Sequence, residues 1–170
     1  TAVGADTIVF GAGVTGTITL TSGLLLVTDA LTIQGPGSAA LTINGNAANR
    51  IFAIVESPTP ACPALTGPSD FPVVISGMTL RNGQRNVANS VGGAIYTAKS
   101  LTVDNVTFDN NRARAGGAIW FATQYPNQAL TVQNSRFSGN QAKEIVAPST
   151  ASHVGGAIGI AELCSGTRTQ

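Results

Sequence analysis

Charge is scarce in this 170-residue chain: only 10% of residues are Asp, Glu, Lys or Arg, against roughly 25% in an ordinary soluble domain. Nine basic and eight acidic residues nearly cancel, to a formal net charge of +1, and the basic ones are scattered along the sequence. That balance supplies no electrostatic funnel, which argues against nucleic acid and anionic membranes as partners. Long apolar runs are also missing. Leu24-Leu25-Leu26-Val27 is cut short by Thr28 and Asp29, far from the roughly 18 residues of a membrane-spanning helix, so no membrane insertion is expected. No long stretch keeps a 3.6-residue period, and glycine or proline recurs throughout, which excludes a substantial helix. Thr1 opens the sequence without the basic, apolar, small-residue pattern of an export signal, and any such signal is expected to lie outside it.

What is abundant is small, apolar or turn-forming. Hydrophobic residues make up 43% of the chain and glycine alone contributes 20 residues, with Thr, Ser and Asn covering the surface that charge leaves bare. The tetrapeptide Gly-Gly-Ala-Ile occurs three times, at Gly92-Gly93-Ala94-Ile95, Gly116-Gly117-Ala118-Ile119 and Gly155-Gly156-Ala157-Ile158. Between the copies lies a second unit. Leu101-Thr102-Val103 leads to Phe108 and Asn111, as Leu130-Thr131-Val132 leads to Phe137 and Asn140. Val73-Val74-Ile75 opens an earlier copy, and Leu31-Thr32-Ile33 with Leu41-Thr42-Ile43 forms one with a few residues inserted.

Each unit alternates apolar and polar residues over a short stretch bounded by Gly or Asn, which is the pattern of a strand. Gly and Asn supply the left-handed backbone that tight corners need. A repeat of two or three short strands cannot bury its own apolar face and must stack on its neighbours. The expected fold is therefore all-β: a single-stranded right-handed parallel β-helix, or solenoid, with loop insertions. One domain over 1–170 is expected, with lead-in strands in 1–30, coils in 31–163, and insertions near 56–72, 84–91 and 142–154.

Cys62 and Cys164 form an even pair, which fits one disulfide in an oxidising compartment and also fits two separate thiols. Both follow the same strand position, about three coils apart, which is roughly 14 Å at the spacing of parallel strands. Two corner residues cannot bridge that distance. A bridge requires the proline-rich loop to drape along the edge and bring Cys62 down.

The paired motifs, Gly-Gly-Ala-Ile followed by Phe-x-x-Asn at Phe108 to Asn111 and Phe137 to Asn140, resemble the repeat of chlamydial-type polymorphic outer membrane proteins. The stretch from Gly4-Ala5-Asp6-Thr7-Ile8-Val9-Phe10 through Leu31-Thr32-Ile33-Gln34-Gly35-Pro36-Gly37 is similar to the start of bacterial surface proteins bearing a CSLREA domain, although the eponymous peptide is missing. The resemblance implies an extracellular or cell-surface location, and in some relatives an adhesin or autotransporter passenger.

Catalysis needs convergent groups, and few are available. Asp104 falls in register with Ser76 and Gln133, and Asp109 with Arg81 and Ser138, so neither column makes the carboxylate pair that glycan cleavage or calcium binding would use. His153 sits in an insertion without an evident partner. No catalytic residue, cofactor or metal ligand is assigned, and no enzyme activity is expected. Alternation turns Tyr96 and Trp120 outward on adjacent coils, with Tyr125 near them in a loop: a candidate aromatic strip for a glycan or a surface protein. Thr32, Thr102 and Thr131 make a column interrupted by Val74, which leaves ice binding a minor alternative. The leading expectation is a non-catalytic surface module, stalk or adhesin. A self-assembling filament subunit is the alternative, because the chain stops after its third Gly-Gly-Ala-Ile without the half-coil that should follow. A polysaccharide-binding or polysaccharide-cleaving β-helix comes third.

Overall fold

A computed structural model of the chain describes residues 5–56, 70–85, 90–143 and 155–162. Its strands come in five successive sets. The first holds β1 (Asp6–Val9), β2 (Gly16–Thr19) and β3 (Leu25–Val27), and the second holds β4 (Leu31–Gln34), β5 (Leu41–Asn44) and β6 (Phe52–Ile54). In the third, one long strand, β7 (Val73–Arg81), takes the first two places and β8 (Ile95–Thr97) the last. The fourth repeats this with β9 (Leu101–Asp109), a short β10 (Arg112–Ala113) and β11 (Ile119–Thr123). The fifth comprises β12 (Leu130–Gln133), β13 (Arg136–Ser138), β14 (Gln141–Ala142) and β15 (Ile158–Glu162). No helix occurs among the described residues.

Every strand pair is parallel, and each joins one set to the next. Three ladders result. The first runs β1, β4, the front half of β7, the front half of β9, then β12. The second runs β2, β5, the back halves of β7 and β9, then β13. The third runs β3, β6, β8, β11, β15.

Registers follow the alternation in the sequence. In the first ladder Ile33, Ile75 and Val103 stand in one column and are buried, while Thr32, Val74 and Thr102 between the inward positions are half-exposed. In the second, Ile43, Leu80 and Phe108 form the buried column. In the third, Phe52, Ile95 and Ile119 do so. A common core collects all three, as the period-two pattern of each strand requires.

The joint between the first two ladders is made by one residue in later sets and by a loop in earlier ones. Gly77, Asn105 and Asn134 occupy the bend with φ of 64°, 52° and 49°, the left-handed region that Gly and Asn tolerate best. Residues 10–15 and 35–40 loop out at the same place, which accounts for the inserted residues legible in the earlier copy. The bodies of the insertions expected near 56–72, 84–91 and 142–154 lie largely outside the described residues. So do Cys62, Cys164 and His153. Flanking the second insertion, Gln84 and Val91 make parallel bridges to Arg112 and Ala115.

Candidate functional site

The repeat-defining residues are accounted for by stacking. Phe108 and Phe137 lie in one column with ring centroids 4.7 Å apart and planes 6° from parallel, an offset stack that adds about 0.5–1.5 kcal/mol beyond burial. Asn111, fully buried, accepts a hydrogen bond from the backbone N–H of Gly83 (2.7 Å) and donates to the carbonyl of Leu80 (3.0 Å) in the preceding set. Asn140 repeats the pattern by accepting from Asn111 and donating to the carbonyl of Phe108 (2.9 Å). The Phe-x-x-Asn motif thus couples an aromatic stack to an asparagine ladder that satisfies backbone groups at the corner.

The first glycine of each Gly-Gly-Ala-Ile copy has left-handed φ: 65° at Gly92, 57° at Gly116 and 62° at Gly155. The second glycine is required for a different reason. A Cβ on Gly93 would stand 2.1 Å from the carbonyl oxygen of Gly117, and one on Gly117 would stand 2.3 Å from that of Gly156. Ala94 and Ala118 are fully buried, and Ile95, Ile119 and Ile158 continue the inward column.

Tyr96 and Trp120 pair in register on the outward side of the third ladder, with Ala53 on one flank and Gly159 on the other. Neither ring stands free. Both are half-buried against a small second cluster of Val55, Ala98 and Ala122, and Trp120 lies so close over Gly159 that a Cβ there would be 2.6 Å from its ring. The guanidinium of Arg50 stands 4.9 Å from the centre of the Tyr96 ring. The ring of Tyr125 has the ammonium of Lys99 4.9 Å from its centre.

Two buried cations went unnoticed in the sequence. Arg50 donates from Nε to the carbonyl of Gly92 (2.9 Å) and from Nη2 to that of Val91, bracing the turn of the following set. Burial presses its pKa down from the ordinary arginine value to about 10, the nearby Arg85 adding repulsion and Tyr96 opposing it. Burial likewise raises the Tyr96 phenol above its ordinary 10.0, with Arg50 pulling the other way. Lys99 is fully buried, with its ammonium 3.2 Å from Glu56 and between the rings of Phe71 and Tyr125. Asp70 accepts from the N–H of Ser100 (2.9 Å) and its hydroxyl (2.6 Å). Both ends of the proline-rich segment are therefore fastened beside Lys99. An isolated Lys or Arg between loop residues carries no period that a sequence reading could detect.

Among the described residues, acidic side chains do not converge. Asp104 and Asp109 stand in the registers read from the repeat. Asp109 pairs with Arg81 at 3.0 Å on an open face, where an exposed ion pair contributes little. Asp104 accepts from Asn134 at 2.8 Å. Among the described residues, no three His, Cys, Asp or Glu side chains are placed to hold a metal ion. The threonine column comprises Thr7, Thr32, Val74, Thr102 and Thr131, and Thr17, Thr42, Thr79 and Thr107 form another on the second ladder. The inserted loop crosses that second column, since Thr79 donates to the carbonyl of Ser38 (2.6 Å).

Residues 105–122 match the Chlamydia polymorphic membrane protein repeat. The match runs from the bend at Asn105 through Phe108, Asn111 and Gly116-Gly117-Ala118-Ile119 to Ala122, the part of one set that holds both motifs. The family of that repeat is one of outer-membrane, surface-associated proteins. No curated protein and no solved structure matches the chain.

Proposed function

We propose that the chain is a right-handed parallel β-helix serving as a non-catalytic structural or adhesive module at an extracellular or cell surface. The observation that carries this reading is the constant register of three parallel ladders over five sets, with the matched repeat in the fourth. In this reading 1–170 is one domain, the lead-in strands in 1–30 form the first coil, and the CSLREA-like stretch is its opening. Residues fixed by stacking leave the outward columns free to vary, so a partner is met on the faces and edges. Surface biotinylation of intact cells tests the location, and a glycan array with a host-cell binding assay tests the adhesive role. A protein found only inside cells would overturn the first, and glycan turnover by the purified chain would overturn the second.

A second reading is end-to-end assembly. Ile8 and Val9 on β1, and Val132 and Ile160 on β12 and β15, are exposed apolar side chains on strands with one described neighbour each. Such edges are templates for a further strand. Sedimentation at rising concentration together with electron microscopy tests it: filaments support assembly, and a monomer at high concentration rules it out.

A further inference from the structure

Asn105 forms the bend of the fourth set with φ of 52° and is exposed. It is also the only asparagine in the chain followed two residues on by Ser or Thr, in Asn105-Val106-Thr107. Asn-x-Thr, with x other than proline, is the pattern that N-linked glycosylation requires. Whether such a pattern can carry a sugar depends on where the fold puts it. Val106 is buried in the core, while Thr107 lies on the outward side of β9, in register with Thr79 and Arg136. Asn105 and Thr107 therefore both address the outside, with an anchored valine between them. The amide nitrogen sets Asn105 apart from the other corner asparagines. Asn82, Asn110, Asn111, Asn134 and Asn140 each donate from Nδ2 to the preceding set. Asn105 instead accepts at Oδ1 from the hydroxyl of Ser38 (3.2 Å), and among the described residues nothing accepts from its Nδ2. With the oxygen turned to the loop of residues 35–40, the nitrogen is left to solvent.

We propose that Asn105 is an N-glycosylation site. The transfer forms a bond between Nδ2 and the anomeric carbon of a sugar activated as a diphosphate ester. The bond from that carbon to the phosphate oxygen breaks, its electron pair leaves with the diphosphate, and Nδ2 gives up one proton to a base of the transferring enzyme. Oδ1 is untouched, so the hydrogen bond from Ser38 is kept, and no donor of the asparagine ladder is consumed. Asn134 occupies the same bend one set later and makes the contrast. Its Nδ2 holds Asp104 at 2.8 Å, and Asn134-Ser135-Arg136 lacks the third residue of the pattern. A sugar on Asn105 stands at the corner between the first and second ladders, away from Tyr96 and Trp120 on the third. It is a bulky, solubilising group on a surface that carries little charge. The inference rests on the surface reading only in that export brings the chain to a transferring enzyme, and modification and location are read separately below.

The test is peptide mass spectrometry on the chain recovered from its own cells after surface biotinylation. The peptide spanning Asn105 should be heavier by one or more sugar residues, with fragment ions placing the added mass on Asn105, and the peptide spanning Asn134 should be unmodified. Thr107→Ala, expressed in the same cells, should lose the sugar completely. Thr107→Ser keeps the hydroxyl and should keep the sugar at reduced occupancy, which separates recognition of the pattern from any effect on folding. Thermal melts confirm that both variants are folded. A biotinylated chain with unmodified Asn105 would overturn the proposal while leaving the surface reading in place, and an unmodified chain found only inside cells would overturn both. Sugar that persists in Thr107→Ala, or that appears equally on Asn134, would also overturn it.

Discussion

Asn140 accepts two hydrogen bonds from Asn111 through one oxygen, from the backbone N–H at 3.0 Å and from Nδ2 at 2.9 Å. The ladder is therefore cooperative, with each asparagine holding its neighbour as well as the strand below. Asn111→Ala leaves the N–H of Gly83 and the carbonyl of Leu80 without their buried partner, at an expected cost of about 2–4 kcal/mol. Asn140→Ala, at a partly exposed position, should cost about half as much. Denaturant midpoints of the two variants check the order, and equal losses would mean that burial does not set the cost.

Two glycines at the same place in the motif should respond in opposite directions. At Gly117 a methyl group meets the carbonyl of Gly156 at 2.3 Å and the N–H nitrogen of Gln141 at 2.6 Å, whereas at Gly156 nothing lies within 4 Å. Gly117→Ala is expected to destabilise by about 3 kcal/mol or more through overpacking. Gly156→Ala should stabilise by about 0.4–1 kcal/mol, because the unfolded chain loses freedom. Thermal melts of both variants decide whether the following set creates the glycine requirement.

Trp120 is the only tryptophan, so its emission reports its contact with Gly159. Gly159→Ala places a methyl group 2.6 Å from the indole ring, which must lift away toward water. A red shift of the emission maximum with the cooperative melt preserved is expected. An unchanged spectrum would show that the ring does not rest on that glycine.

Tyr96 should ionise above the ordinary tyrosine value of 10.0. In a Tyr125→Phe background, absorbance of the remaining phenolate gives its midpoint. Because the folded pKa is raised, the contribution of Tyr96 is complete below pH 10 and is lost as pH rises through the folded value. Arg50 acts oppositely: its value is depressed to about 10, so above that pH the unfolded state holds the proton more firmly, and stability rises with pH until the ordinary arginine value is reached. Tyr96→Phe should therefore lose less stability than the parent as pH climbs past 10. A steeper loss in the variant would contradict the assigned burial.

How much was legible depended on whether a feature repeats. The strand register was readable because Leu101-Thr102-Val103 and Leu130-Thr131-Val132 carry the same alternation, and they pair residue for residue. The columns of Asp104 and Asp109 followed from it. The outward placement of Tyr96 and Trp120 was readable by the same rule, but their half-burial was not, since it depends on Gly159 in another set and on Ala98 and Ala122 beyond each strand. Tyr125, expected near them in a loop, has the ammonium of Lys99 over its ring, as Phe71 does, a contact that no period in the sequence announces.

By itself the sequence determined the strand period, the corner residues and the identity of the repeating unit, because these depend on local backbone preference and on alternation between wet and dry faces. Only the tertiary structure decided which side chains share an edge. Arg114 and Lys143 are separated in the chain and adjacent in space, since parallel stacking places each set over the last and turns sequence separations of about thirty residues into neighbours one strand apart.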